Sequence, residues 1–220
     1  AVNCKPTRSR SASSARLVNI YAEQNSQDGK TPLLLRGSPG IRLAVTPGTG
    51  GPGRGLIPFR SGLLAVAGDR LLSMDSSEML TDLGELVGTE SVYWAAAYDG
   101  LVIVNEAGTG YFWNGSALSI IADTDFTSRN PGPVAFLDNF ILVIEKDTGR
   151  FFASELANST SYEALSFATA ESSPDNLVTI IEDHGQAILF GTDSIELWYN
   201  AGFGNFPFVR VQGGIVALGC

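Results

Sequence analysis

Short runs of apolar residues alternate with polar turn residues along the chain from residue 55 onwards. The runs are rich in β-branched and aromatic side chains, and each has the length of one strand. They span residues 63–67, 92–97, 101–105, 110–113, 140–145, 150–153, 177–182, 187–190 and 195–199. Pairs such as Asp99-Gly100 and Asn114-Gly115 separate the runs and tolerate the positive φ of tight hairpin turns. Helical spacing is confined to residues 79–86 and 161–167, so the pattern predicts an all-β fold.

The strands also repeat as a group. Each of four segments contains a turn, an apolar strand, a second turn and a strand with a pair of bulky apolar residues. Their first turns are marked by Gly62, Gly100, Asn139 and Gly185, which lie 38, 39 and 46 residues apart. A period of about 40 residues with four short strands in each unit is typical of propeller blades, which bury their faces by stacking on one another. Two independent antiparallel sheets would explain the strands but not the period.

The repeat also predicts the domain organisation. We expect an N-terminal arm and an extended segment over residues 1–54, followed by a β-propeller-like array of four-stranded blades over residues 55–220. About four blades fit into this length. Residues 211–218 have the pattern of a new strand without a stop signal, and we interpret them as the start of a fifth blade. On this interpretation the array continues beyond Cys220.

Charge is unevenly distributed along the chain. The net charge is −9, but residues 1–60 carry +7 and residues 61–220 carry −16. Residues 1–16 are rich in Ser, Arg and Ala and have no hydrophobic period, so they are expected to be disordered in isolation. A basic arm on an acidic body predicts contact with nucleic acid or with the acidic surface of a neighbouring subunit; a solvated tail is the alternative. The candidate contact residues are Lys5, Arg8, Arg10 and Arg16.

Two motifs have the spacing of ligand-binding loops. Gly48, Gly50 and Gly53 match a dinucleotide-binding loop, but that loop needs a helix after it, and the residues after Gly53 alternate as in a strand. The run Asp123-Thr124-Asp125 begins like a calcium loop, but the glycine and the final carboxylate of that loop are missing. We therefore expect neither a cofactor nor a metal.

The sequence also defines no catalytic residues. His184 is the only histidine and lies in a predicted hairpin turn. Cys4 and Cys220 stand at opposite ends without metal-ligand spacing, and are expected to be free thiols. Carboxylates such as Glu171 and Asp175 are compatible with glycoside chemistry, but no pair is singled out. We predict that the chain is not an enzyme.

The order of several short motifs resembles one protein family. These motifs are Val18-Asn19-Ile20-Tyr21, Gly29-Lys30, Pro39-Gly40-Ile41 and the step Arg54-Gly55 into the first blade strand. Together with residues 175–202 and 211–220, they resemble the packaged-DNA stabilisation proteins of short-tailed bacteriophages, also called tail hub or nozzle proteins. The resemblance covers residues 17–220. The Arg-rich arm before Leu17 is not part of the pattern, and family members continue for many residues past the point where this chain stops.

The resemblance implies a structural virion protein without an active site. It would be made in the host bacterial cytoplasm and located in the virion tail, as a homo-oligomeric ring, expected to be a hexamer, below the portal and its adaptor. The ring would extend the DNA channel, help to retain the packaged double-stranded DNA, and support a tail needle or plug and tail fibres or spikes. The acidic blades would repel phosphates, so that DNA slides through without sticking.

Two other functions remain open at this point. A glycan-binding or glycan-hydrolysing β-propeller would need aromatic and carboxylate side chains that converge at one end of the blades. A cytosolic propeller scaffold would be a stable monomer that forms no ring.

Overall fold

The computed structural model describes residues 19–24, 33–40, 42–170 and 174–220, which fall into two compact units, residues 1–44 and 45–220. In the first unit, β1 (Ile20–Gln24) and β2 (Leu33–Gly37) form an antiparallel pair. An ion pair between Arg36 and Glu23 joins the two strands. The amide of Ser38 donates to the carbonyl of Asn19 at 2.8 Å and closes the pair.

The second unit contains four antiparallel four-stranded sheets, each built from consecutive strands. Blade 1 consists of β3 (Gly53–Phe59), β4 (Gly62–Ala67), β5 (Arg70–Met74) and β6 (Leu80–Glu85). Blade 2 consists of β7 (Val92–Ala96), β8 (Leu101–Asn105), β9 (Gly110–Trp113) and β10 (Leu118–Ile120). Blade 3 consists of β11 (Pro131–Leu137), β12 (Phe140–Glu145), β13 (Arg150–Glu155) and β14 (Asn158–Thr169). Blade 4 consists of β15 (Leu177–Asp183), β16 (Gln186–Gly191), β17 (Ile195–Asn200) and β18 (Phe208–Val216).

Successive blades pack through their first strands, β3 on β7, β7 on β11 and β11 on β15. This arrangement confirms the predicted propeller-like array of four-stranded blades. The four repeats found in the sequence are the second and third strands of each blade. A single helix turn, α1 (Thr124–Thr127), lies in the link between blades 2 and 3. Within the described residues, no helix is long and apolar enough to span a membrane.

Three expectations about individual segments were wrong. Residues 79–86 and 161–167 lie mainly in β6 and β14, the outermost strands of blades 1 and 3, instead of in helical turns. Outermost strands expose much of their length, so their polar residues do not alternate strictly. Residues 211–218 do not begin a fifth blade, because β18 pairs with β17 as the fourth strand of blade 4.

The core lies between the blades. Leu101 on β8 packs towards blade 1, while its neighbour Val102 packs towards blade 3; both are fully buried. On β12, Ile141 packs towards blade 2 and Leu142 towards blade 4, and both are again buried. Because successive side chains of a strand point to opposite faces, a blade with neighbours on both sides needs apolar residues at every position. This explains the unbroken apolar runs of the sequence.

Blade 4 has one packed face and one free face. Leu189 on β16 is fully buried against blade 3, whereas Ile188 and Phe190 point to the other side and are half-buried. The strand register places Ile181 and Leu197 beside Ile188 on that side. This free face is apolar, and among the described residues no second sheet packs against it as the blades pack on one another.

Candidate functional surface

The turns of the array lie at two opposite ends. Because every sheet is antiparallel and consecutive, the links between blades lie at the same end as the turns between second and third strands. We call this the connector end. The turns from first to second strand and from third to fourth strand form the other end, which we call the turn end.

A buried arginine holds blades 1 and 2 together at the connector end. Arg54 of β3 is 4% exposed. Its guanidinium donates to the carbonyl oxygens of Gly68 (2.9 Å), Leu86 (2.5 Å), Val87 (3.2 Å) and Glu90 (2.7 Å). Desolvation lowers the pKa of Arg54 from its ordinary value, but the four carbonyl dipoles replace the water that the charge has lost. Three of these carbonyls belong to the link between β6 and β7, so Arg54 fixes the position of blade 2.

The next residue allows blades 1 and 2 to approach closely. A Cβ atom on Gly55 would lie 2.9 Å from Cγ2 of Val92 on β7. Only glycine therefore fits where β3 meets β7 in this packing. The step Arg54-Gly55, which the sequence resemblance singled out, thus has two structural roles. Arg54 hydrogen-bonds to the link between β6 and β7, and Gly55 leaves room for Val92 of β7.

Other buried polar side chains have similar tasks. The Asn105 side chain donates to the Val87 carbonyl at 2.9 Å and accepts from the Thr109 amide at 2.8 Å. The Asp175 carboxylate accepts from the Ser194 amide at 2.9 Å and from its hydroxyl at 3.1 Å. Because these polar groups are hydrogen-bonded, their burial is tolerated. These side chains are therefore occupied in holding the fold.

The run that resembles a calcium loop is a helix cap. Asp123 Oδ1 accepts from the amides of Asp125 (2.8 Å) and Phe126 (3.2 Å) at the start of α1. Its Oδ2 accepts from the Tyr162 amide of β14 at 3.2 Å, which ties the link to blade 3. Phe126 is fully buried, 4.9 Å from the Tyr162 ring, and burial raises the pKa of Tyr162. Among the described residues, no three His, Cys, Asp or Glu side chains lie together as metal ligands would.

The turn end is strongly acidic. Its turns and the residues next to them carry carboxylates at Asp75, Glu78, Asp99, Asp138, Glu155, Glu182 and Asp183. Arg60 is the one Lys or Arg in these turns, all of which the structure describes. This imbalance gives the turn end a negative potential that repels phosphates and attracts cationic groups.

An aromatic depression lies where the first hairpins of blades 2, 3 and 4 meet at the turn end. Tyr98 is 82% exposed, and its ring contacts Phe136 edge-on at a centroid distance of 5.5 Å. With Asp138 and Glu182, these rings line a depression of about 270 Å³. Its volume lies below the roughly 300–1,000 Å³ that is typical of ligand pockets.

As predicted, His184 lies in a two-residue hairpin turn. This turn lies beside the aromatic depression. Both His184 (φ +50°) and Gly185 (φ +74°) have positive φ, and Asp183 pairs with Gln186 across the turn. The imidazole Nδ1 lies 2.7 Å from a carboxylate oxygen of Asp183, and this hydrogen bond raises the pKa of His184. The histidine is thus a surface turn residue that pairs with its neighbour.

A larger cavity of about 460 Å³ lies between blades 3 and 4 at the turn end. Glu155 and Glu163 from blade 3 line one side, and Asn205 of the loop between β17 and β18 lines the other. Phe140 contributes an apolar wall. Within the described part of the chain, neither glutamate carboxylate is hydrogen-bonded or ion-paired. The sequence pattern could not reveal this cavity, because its walls come from segments about 40 residues apart.

Several residues that the sequence singled out lie outside the described residues. These are Cys4, Lys5, Arg8, Arg10, Arg16, Val18, Gly29, Lys30, Ile41 and Glu171. The glycine run 48–53 leads directly into β3, so the segment after it is a strand instead of the helix that a dinucleotide loop requires. Cys220 is an exposed free thiol.

Comparison with known proteins identifies the family. A model of the phage stabilisation family, described as "Bacteriophage P22 Gp10, beta-propeller", matches residues 9–220. The chain belongs to this family. The match confirms the resemblance to packaged-DNA stabilisation proteins that the ordered motifs indicated, and the four observed blades agree with its description as a propeller.

No curated protein sequence matches this phage stabilisation family member. Among solved structures, it is similar to YCF48 bound to D1 peptide, with a TM-score of 0.56, 14% identity, and coverage of 82% of this chain and 59% of that chain. YCF48 from Cyanidioschyzon merolae gives a TM-score of 0.53, 11% identity, and coverage of 82% and 66%. A catalytically inactive virginiamycin B lyase from Staphylococcus aureus with quinupristin gives a TM-score of 0.55, 9% identity, and coverage of 88% of this chain and 63% of that chain.

These distant similarities concern the fold alone. The chain spans 59–66% of the length of these solved structures. At the connector end, the polar side chains described above bind backbone groups and one another. The turn end carries the acidic turns and the cavity of about 460 Å³.

Proposed function

We propose that this chain is a structural protein of the phage tail and not an enzyme. Its copies form a ring, with six as the expected number, that extends the DNA channel below the portal and its adaptor. The ring helps to retain the packaged DNA, and it supports the needle or plug and the fibres or spikes. The family match over residues 9–220 carries this proposal.

The rigidity of the blades supports a role as a collar. Arg54 and Asp123 each join a link to a neighbouring blade, and Asp99 joins blade 2 to blade 3 through the amide (2.9 Å) and hydroxyl (2.6 Å) of Ser159. Such ties between blades resist the sliding of one sheet on another, because a slip would leave buried polar groups without partners. A wall that contains a pressurised genome needs this resistance.

The negative charge supports passage of DNA without adhesion. Residues 61–220 carry −16, and the turn end holds many of these carboxylates. Phosphates near such a surface are repelled over about 8–10 Å at physiological ionic strength. DNA that threads the ring would therefore move without binding to the blades.

Quantitative peptide mass spectrometry of purified, DNA-filled particles of the phage that encodes the chain tests this function. We expect abundant peptides from residues 1–220, at several copies per particle relative to the portal. Heads purified before tail addition are the matched control, because they contain the portal but should lack these peptides.

Absence of the peptides from complete particles would overturn the proposal. Equal abundance in tailless heads would also contradict a position in the tail. In the first case, the glycan-binding propeller becomes the next hypothesis to test.

A further inference from the structure

The cavity between blades 3 and 4 has firmly held walls. Its loop, residues 201–207, is anchored by Phe206, whose ring lies 5.3 Å from that of Phe151 and 5.5 Å from that of Phe208. Phe140 packs edge-on against Phe208 at 5.4 Å. On the other side, the Ser166 hydroxyl donates to the Asn205 carbonyl at 3.4 Å and joins β14 to the loop. The cavity is thus formed before a ligand arrives.

The chemistry of the lining selects a cation. Glu155 and Glu163 bring two carboxylates, and no Lys, Arg or His lines the cavity among the described residues. Elsewhere in the array, Glu145 is paired with Arg150 at 2.5 Å, and Glu106 lies within 4.0 Å of Lys146. Glu155 and Glu163 have no such partner among the described residues. Both glutamates are exposed to solvent, so a guanidinium or ammonium group could replace water at their carboxylates, whereas an anion would be repelled.

The surroundings favour a polypeptide over a small ion. Leu156, which lines the cavity, is 65% exposed, and Leu165 next to Ser166 is 72% exposed. Phe203, at the tip of the loop, is 70% exposed. Exposed apolar side chains around a charged pocket are typical of protein interfaces, in which they cover the aliphatic part of an inserted side chain.

The chain itself contains a segment of the matching chemistry. Residues 1–22 include Lys5, Arg8, Arg10 and Arg16 and no acidic residue. We propose that the cavity formed around Glu155 and Glu163 receives basic side chains of residues 5–16 from a second copy of the chain. This contact links neighbouring copies. The inference rests on the ring assembly proposed above only because it names a second copy as the source of the basic side chains.

A peptide-binding experiment on the full chain tests the site. The receptor is a full-length variant in which Lys5, Arg8, Arg10 and Arg16 are replaced by Gln, so that its own segment cannot compete. The probe is a fluorescent peptide of residues 1–18, followed by fluorescence anisotropy at low ionic strength. Introducing Glu155→Gln and Glu163→Gln into the receptor should weaken binding by about tenfold or more. A peptide with Gln at the four basic positions should not bind.

A matched control separates a site from general attraction. Glu85→Gln and Asp193→Asn remove the same charge from exposed positions at the connector end, and should leave the affinity within about twofold of the unmodified receptor. Failure of the peptide to bind, undiminished binding after loss of both cavity carboxylates, or an equal loss in the control would each overturn the inference. Circular dichroism melts of all receptors show whether they share the same fold.

The ring and the cavity can fail separately. Native mass spectrometry of the unmodified full chain reports its oligomeric state, whereas the anisotropy experiment reports the cavity. If oligomers persist when Glu155 and Glu163 are changed, the ring proposal is retained, but the cavity is not the contact that links its copies. If the chain is monomeric and its cavity binds the peptide, the ring is contradicted, and so is a second copy as the source of the basic side chains. The cavity would then remain a binding site for basic segments.

Discussion

At the scale of single residues, the structure relies on a few buried polar side chains with many partners. Arg54 is the clearest case, because one guanidinium satisfies carbonyls from two different turns. A charge is costly to bury, and the cost is offset only when every donor finds an acceptor. Removal of the side chain would leave several buried carbonyls without a donor.

Replacing Arg54 tests this dependence. We expect Arg54→Met to lower the free energy of unfolding by about 2–4 kcal/mol, because several carbonyls lose their hydrogen bonds together. Urea denaturation followed by tryptophan fluorescence measures the change. Arg70→Met is the control, since the Arg70 side chain is partly exposed and lies 3.7 Å from Asp69 and 3.6 Å from Asp82; it should cost at most about 1 kcal/mol. Equal effects of the two substitutions would contradict the importance of the buried network.

The sequence could single out Arg54-Gly55 but not explain it. The motif marks a step into a strand, whereas the bonded carbonyls lie 14 to 36 residues further along the chain. The same limit applies to Glu155 and Glu163. They line a cavity only because the fold places the loop between β17 and β18 of blade 4 beside blade 3. Local turns were easier to predict: His184-Gly185 and Asp138-Asn139 have the positive φ that their residue types permit.

At the scale of elements, burial decided which strands the sequence could predict. The second strands, such as β8 and β12, are covered on both faces, so their apolar runs are unmistakable. The outermost strands β6 and β14 have one exposed face and an irregular register with their neighbours, and their mixed composition was taken for helix.

Two adjacent residues of β16 should respond differently to truncation. Leu189→Ala removes a fully buried side chain between blades 3 and 4, and should cost about 2–5 kcal/mol. Ile188→Ala acts on the half-buried free face of blade 4, and should cost roughly 1 kcal/mol. Thermal or urea unfolding of both variants provides the comparison. A larger loss for Ile188→Ala would show that the two faces have been assigned the wrong way round.

At the scale of the whole molecule, charge is separated along the chain. The basic residues lie mainly before residue 61, and the blades are acidic. Counterion release makes DNA affinity depend on the number of basic groups that reach phosphates. The blades have few cations to offer, and several of these, such as Arg129 and Arg150, are engaged with Glu145.

We therefore expect any affinity of the chain for duplex DNA to come from its N-terminal basic residues. Replacing Lys5, Arg8, Arg10 and Arg16 by Gln should abolish binding in an electrophoretic mobility assay at low salt. The Glu85→Gln and Asp193→Asn variant, which makes the blades less acidic, should bind as the unmodified chain does. Undiminished DNA binding by the Gln variant would show that the blades carry a basic surface, and would contradict passage without adhesion.

The order of the blades in space is their order in the sequence, and each blade is a succession of neighbouring hairpins. Contacts within each hairpin join residues that are close along the chain, which keeps the entropy cost of closing that hairpin low. Each blade can form as soon as its last strand has left the ribosome, and its exposed face then offers a template for the next blade to be synthesised. Translation itself can therefore set the direction of assembly, from blade 1 towards blade 4.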